Sequence, residues 1–236
     1  MIKVRTTGGI FTMADPRPEL RELLLHTAAR LFRTRGYAAV SLRTIAAEAG
    51  VTTGSLYYYF NHKDQIVKEI LDTGHKQVHA EVKRCIAALG PRATKAEKVV
   101  VGVRAHLAAL FEMDSYPAAN VRIFAHVPAN IRIAVRPGRR AYEEYWIDLL
   151  SSRKGPTKID PRQLTMFLFG ATNWTLEWYR EKRDSLDGIA NNLAVVMLGE
   201  DATTLARTEQ KFERAVAAAS SFPRSQAAPC RRRVPT

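Results

Sequence analysis

Residues 41–60 read SLRTIAAEAGVTTGSLYYYF. In the first half, Leu42, Ile45, Ala46 and Ala49 recur at i, i+3, i+4 and i+7, which places all four on one face of a helix. Ser41 stands just before that face, where its hydroxyl can accept a hydrogen bond from a free amide of the first turn. Gly50 follows the last periodic residue, a place where a chain leaving a helix often needs positive φ. Thr52 or Thr53 then caps a second short helix ending in Leu56-Tyr57-Tyr58-Tyr59-Phe60. Leu56 and Phe60, at i and i+4, face the core with Val51. Thr52, Thr53, Ser55 and the tyrosines are left to distribute toward solvent, since three consecutive aromatics cannot all be buried on one short helix. Two short helices about a glycine turn make a helix-turn-helix, the unit that lays its second helix in the major groove of DNA.

The flanks extend this pattern. Residues 19–35 predict a helix with a broad apolar stripe at Leu20, Leu23, Leu24, Thr27, Ala28, Leu31 and Phe32, ended by Gly36. Residues 63–89 predict a long helix whose Ile66, Val67, Ile70 and Leu71 suit packing against the first three; Gly90-Pro91 stops it. From residue 95 onward no strand alternation occurs. Helices are expected at 95–113, 117–126, 138–152, 161–181, 186–199 and 202–220, separated by Tyr116-Pro117, Val127-Pro128, Arg136-Pro137-Gly138 and a segment holding Gly155-Pro156. The expected fold is all-α, with nine to ten helices. It divides into a flexible arm (1–18), a three-helix head with the helix-turn-helix (19–62), a larger helical domain (63–220) and a basic, disordered tail (221–236).

The bulk numbers narrow the class. The chain has 236 residues, 46% of them hydrophobic, enough for a substantial core. A formal charge of +13 favours a polyanionic partner. That charge is not concentrated in the helix-turn-helix, and Arg231-Arg232-Arg233 reads as a solvated tail. The two cysteines, Cys85 and Cys230, share no metal-like spacing. Cys85 falls in a helical pattern as a small buried apolar residue, and without a structural disulfide the chain fits a reducing cytoplasm. No apolar run approaches the ~18 residues of a membrane span, so no membrane partner is expected. There is no G-x-S-x-G, no Walker loop and no Gly-rich βα turn, so no catalytic residues, enzymatic activity or cofactor are expected. His75 and His79 stand at i, i+4, but no third ligand has useful spacing, and no metal is expected.

Residues 24–70 resemble the DNA-binding domain of the tetracycline-repressor (TetR) family. The resemblance is carried by Ala28-x-x-Leu31-Phe32, Arg35-Gly36-Tyr37, Ser41-Leu42-x-x-Ile45-Ala46, Ala49-Gly50-Val51, Gly54-Ser55-Leu56-Tyr57-Tyr58-Tyr59-Phe60 and Lys63, in that order. The family commonly has histidine where Tyr59 stands. Phe167-Leu168-Phe169-Gly170-Ala171-Thr172-Asn173-Trp174-Thr175-Leu176-Glu177-Trp178-Tyr179 is similar to the penultimate helix of TetR subfamilies that respond to acyl-CoA thioesters.

The resemblance implies a site for double-stranded operator DNA. Ser41, Thr52, Tyr57 and Lys63 would grip phosphates, while Thr53, Gly54, Ser55, Tyr58 and Tyr59 would lie nearest base edges. Arg43, exposed by its periodicity, suits either role. The reading helix carries no arginine and so lacks the bidentate guanine contact; a homodimer reading two half-sites is expected to supply the affinity. Family members pair two late helices of each subunit, which points to Leu164, Leu168, Trp178, Ile189, Leu193, Val196 and Met197 as dimer contacts. A pocket for a small apolar or acyl-CoA effector is expected among Phe111, Tyr116, Phe124, Tyr142, Trp146, Phe169, Asn173, Trp174 and Glu177. Arg122, Arg132, Arg136, Arg139 and Arg140, in sequence between two expected helices, would suit CoA phosphates; a solvated loop is the alternative. Most relatives repress and release DNA on binding ligand. The competing expectation is a constitutive DNA-binding protein whose larger domain serves dimerisation alone.

Overall fold

The computed structural model describes residues 16–151 and 159–198. Ten α-helices follow in order: α1 (Pro16–Arg35), α2 (Leu42–Glu48), α3 (Thr53–Tyr59), α4 (Lys63–Ala88), α5 (Lys95–Phe111), α6 (Ser115–Ile123), α7 (Ala129–Ala134), α8 (Arg136–Leu150), α9 (Pro161–Trp178) and α10 (Leu186–Leu198). A 3-10 turn, Phe124–His126, continues α6. No strand occurs among the described residues, so the fold is all-α. No helix among them is long and apolar enough to cross a membrane. Residues 16–18 of the expected arm belong to α1, which starts three residues ahead of the expected Glu19; the rest of the arm, the helix at 202–220, the basic tail, Cys230 and Gly155-Pro156 lie outside the described residues.

Local chemistry sets the helix ends. The Thr94 hydroxyl accepts from the Glu97 amide at 3.2 Å while the Glu97 carboxylate accepts from the Thr94 amide at 2.8 Å, a capping box that starts α5. Gly90, at φ +79°, turns the chain out of α4. The Asp114 carboxylate accepts from the Tyr116 amide at 3.0 Å, so α6 starts at Ser115, ahead of the expected Pro117. Pro117 sits in the first turn, where its missing N–H has no intrahelical partner to lose. Pro137 likewise occupies the first turn of α8 and does not interrupt it. α7 is a helix where the sequence had indicated only a break. α9 ends at Trp178, three residues before the expected end.

Two cores form, and α4 belongs to both. Its first half contributes Ile66, Val67, Ile70 and Leu71 to a core shared with α1, α2, α3, α6 and α7. Its second half contributes Val78, Val82, Cys85 and Ile86 to a core with α5, α8, α9 and α10. At 26 residues and 1.5 Å per residue, α4 is a rod about 39 Å long. α6 lies against its midpoint. There Gly74 has no room for a side chain: a Cβ would come within 2.6 Å of the Tyr116 carbonyl oxygen. The Asn120 side-chain amide donates to the Leu71 carbonyl at 2.6 Å in the same buried crossing. Cys85 is buried at the far end of α4, where burial pushes its thiol up to about 12 and leaves it protonated.

Candidate DNA-binding surface and effector cavity

The helix-turn-helix is fixed by its own side chains. The Ser41 hydroxyl accepts from the Thr44 amide at 3.1 Å, capping α2. At the other end the Val51 amide donates to the Ala46 carbonyl at 3.0 Å and the Gly50 amide to Ala47 at 3.1 Å, with Gly50 at φ +72°. This is a Schellman closure, which requires the left-handed backbone that glycine adopts without strain. Of the two candidate caps for α3, Thr52 takes the role, accepting from the Ser55 amide at 3.1 Å.

The four aromatics at the end of α3 divide by face. Leu56 and Phe60 are buried in the first core. Tyr59 is half-buried against that core, edge-on to Tyr58 with ring centroids 5.1 Å apart. Tyr57 and Tyr58 are 50% and 69% exposed. Ser41, Arg43, Thr52 and Gly54 are exposed, and Thr53 and Ser55 half-buried. Lys63 turns inward. Its ammonium donates to the Tyr37 carbonyl at 2.5 Å and lies 3.7 Å from the Tyr37 ring centroid. Burial lowers its pKa. Lys63 therefore ties the start of α4 to the α1–α2 loop through that carbonyl and ring. Arg21 joins α1 to α4, with two bonds to the Glu69 carboxylate at 2.7 and 2.6 Å and its guanidinium 5.0 Å from the Phe60 ring centroid.

A cavity of about 230 Å³ lies where α4, α5, α6, α8 and α9 meet. Its wall includes Gly74, His75, Val78, His106, Leu110, Asn120, Phe124, Arg139, Tyr142, Phe169 and Asn173. Three rings stack in it: His106 on Tyr142 at 5.9 Å, His106 on Phe169 at 5.8 Å and Tyr142 on Phe169 at 5.4 Å. His106 Nδ1 lies 2.8 Å from the Tyr142 hydroxyl and Nε2 lies 3.2 Å from Asn173 Oδ1. Burial lowers His106 to about 4, so the ring is neutral, donating through Nε2–H to Asn173 and accepting the Tyr142 proton at Nδ1. Burial raises the Tyr142 hydroxyl, which stays protonated. Burial, with the nearby Arg139 guanidinium, lowers His75 to about 4 as well.

A second, larger cleft of about 700 Å³ adjoins the cavity and shares Phe124 and Arg139 with it. Arg132, Arg136, Arg140 and Arg162 line it with Glu143 and Glu144. Arg139 donates to Glu143 at 2.9 Å and stacks 4.2 Å from the Phe124 centroid; Arg140 donates to Glu144 at 2.8 Å. Five arginines face two carboxylates, and the cleft is strongly positive. The expected loop reading of this region gives way to α7 and α8. Arg122 belongs elsewhere, paired with Glu177.

Four of the expected effector residues line the cavity: Phe124, Tyr142, Phe169 and Asn173. Trp146 stands behind it, edge-on to Tyr142 and Phe169. The others do not belong to it. Tyr116 is buried in the first core, edge-on to His26, and Phe111 packs on Tyr179 at 4.6 Å. Trp174 and Glu177 line a separate open groove with Arg122 and His126. His75, His106 and Arg139 were not expected as wall residues. His75 stood out in sequence only as an i, i+4 pair with His79, and His106 gave no signal because its partners Tyr142 and Asn173 lie on other helices.

Among the expected dimer contacts, Leu164, Leu168 and Met197 are buried inside the subunit, and this corrects their assignment: they fill the second core and leave no surface for a partner. Ile189 and Leu193 are half-buried on that core. Of the expected contacts Trp178 and Val196 (69% exposed) face outward, and Phe167 (61%) and Trp174 (65%), which were not among them, are exposed as well.

Residues 24–70 match the family model for bacterial regulatory proteins of the tetR family, and residues 92–199 match the tetracyclin repressor-like C-terminal domain. The chain is 29% identical over 170 residues to the HTH-type transcriptional repressor KstR2 of Rhodococcus jostii (strain RHA1), covering 68% of this chain and 79% of that one. It is 47% identical over 51 residues to KstR2 of Mycolicibacterium smegmatis (strain ATCC 700084 / mc(2)155), covering 22% of this chain and a match that spans 25% of that protein. The crystal structure of AibR in complex with isovaleryl coenzyme A and operator DNA shares the fold, with a TM-score of 0.67 at 21% identity, covering 76% of this chain and 98% of that one. With a capped helix-turn-helix at residues 41–60 and family matches at both ends of the helical body, the chain belongs to the TetR family of DNA-binding transcriptional regulators.

Proposed function

We propose that this protein is a homodimeric, cytoplasmic repressor that leaves a pseudo-palindromic operator when an acyl-CoA-type effector enters the cavity. In this reading Ser41, Arg43, Thr52 and Tyr57 hold phosphates, and Thr53, Gly54, Ser55, Tyr58 and Tyr59 face base edges. The observation that carries the regulatory part is the position of α4. The rod anchored in the head by Ile66 to Leu71 forms one wall of the cavity through Gly74, His75 and Val78. A ligand pressing on that wall acts on the helix that sets the angle of the head. It shifts the DNA-binding equilibrium by its difference in affinity for the two arrangements. The neighbouring arginine cleft supplies positive charge for the phosphates of a CoA thioester, and the apolar cavity supplies space for its acyl group.

Isovaleryl-CoA serves as the probe. At a hundredfold excess over its dissociation constant a site-specific ligand stabilises the folded dimer by about 2.7 kcal/mol, a rise in Tm of about 5–10 °C for a chain of this size. Operator affinity is expected to fall by about 5- to 150-fold, the usual range of allosteric coupling. Stabilisation with unchanged operator affinity contradicts the switch. No stabilisation by any CoA ester or free apolar compound favours a constitutive DNA-binding protein.

A further inference from the structure

We propose that the inner cavity sets a ceiling on the effector: it accepts a short acyl group, up to about octanoyl in size, and rejects a longer chain. This inference rests on the acyl-CoA reading of the site and narrows the acyl group. The cavity measures about 230 Å³. An apolar cavity of about 150 Å³ holds one benzene molecule, so in proportion this one holds about nine non-hydrogen atoms. An octanoyl group reaches that limit and a dodecanoyl group exceeds it.

The ceiling is fixed because all five helices around the cavity are tied to one another. α5, α8 and α9 are joined by one chain of hydrogen bonds: His106 meets the Tyr142 hydroxyl at 2.8 Å and Asn173 at 3.2 Å. α4 and α6 are in contact at Gly74, and the Asn120 amide on the Leu71 carbonyl holds them there. Behind the stacked rings, fully buried Trp146 packs so closely on α5 that a Cβ at Gly102 would come within 2.9 Å of its ring. A longer guest must break these buried bonds or force the packed side chains off their rotamers, and either is costly. On the side of the open groove, Val121 and Asn173 line both spaces, and Asn173 is the residue held by His106. The other neighbour is the arginine cleft, which this reading fills with the CoA carrier.

The test is a calorimetric titration with butanoyl-, hexanoyl-, octanoyl-, decanoyl- and dodecanoyl-CoA, each below its micellar concentration. Affinity should rise by about threefold to fourfold per carbon up to octanoyl, as for methylenes leaving water. Dodecanoyl-CoA should then bind at least about tenfold more weakly than octanoyl-CoA, the scale of an overpacked core. Leu110 is a buried wall residue on α5, and Leu110→Ala should move the optimum to decanoyl or beyond. An affinity that keeps rising to dodecanoyl-CoA in the wild type overturns the ceiling and leaves the CoA-responsive reading in place. So does an optimum unmoved in a Leu110→Ala protein that still binds hexanoyl-CoA. Should that variant fail to fold, the wild-type series alone decides. If no ester of any length binds, both readings fall together.

Discussion

Replacing Phe167 and Trp174 together by glutamate is expected to give a monomer whose operator affinity is lower by about a hundredfold or more, the gain that linking two binding heads ordinarily supplies. Phe167, Trp174 and Trp178 stand at i, i+7 and i+11 on one face of α9, exposed together with Val196 of α10, and no described residue covers these side chains. Contiguous exposed apolar surface of this kind marks an association site. A large aromatic brings ~150–250 Å² to such a contact, and in a two-fold dimer each residue counts twice. The dependence of DNA binding on this face comes from α3. Its sequence, TGSLYYY, holds neither arginine nor lysine, so one head binds with hydroxyls, backbone amides and ring faces. Because both substituted side chains are solvated in the subunit, each change should alter subunit stability by no more than about 0.5 kcal/mol. Sedimentation and operator titration on the same preparation check the claim. A variant that stays dimeric, or a monomer that keeps full operator affinity, contradicts it.

Phe60→Ala is expected to remove about 3–5 kcal/mol of stability, the usual loss for a fully buried phenylalanine. That is a large part of the ~5–15 kcal/mol that holds a typical domain folded. Phe60 is buried at the junction of α3 and α4 among Leu56, Ile66 and Ile70, and the Arg21 guanidinium closes over its ring. Its neighbour two positions back behaves in the opposite way. Tyr58→Ala removes an exposed ring, so stability should change by no more than about 0.5 kcal/mol while operator affinity falls. Urea denaturation of the two variants, with operator titration of Tyr58→Ala, separates a packing aromatic from a reading one. Equal losses of stability in the two would contradict the division of the YYYF segment into inner and outer faces.

The head was legible because its signals are local. Ser41, Gly50 and Thr52 act within three or four residues of themselves, and the i, i+3, i+4 spacing of Leu42, Ile45 and Ala46 has one solution. The same rules located α4, α5 and α10 to within a residue or two. They missed α7, which is short, lacks a side-chain cap and is bounded by Pro128 and by a proline that starts α8. The cavity was half legible. Phe124, Tyr142, Phe169 and Asn173 were found as aromatic or polar residues in apolar helices. The pairing of His106 with Asn173 joins positions 67 residues apart, which no periodicity encodes. The exposed apolar face of α9 shows the limit of a helical stripe. On α9, Leu164 and Leu168 point inward while Phe167 and Trp174 point outward, and composition alone does not distinguish a core face from a partner face.

The central claim, that two of these heads read one operator, is tested most directly by selecting bound sequences from a random pool of double-stranded DNA with the intact protein. The account predicts an enriched two-fold symmetric site with two half-sites set by the spacing of the paired heads. Enrichment of no sequence, or of a single asymmetric half-site bound by one subunit, would contradict it.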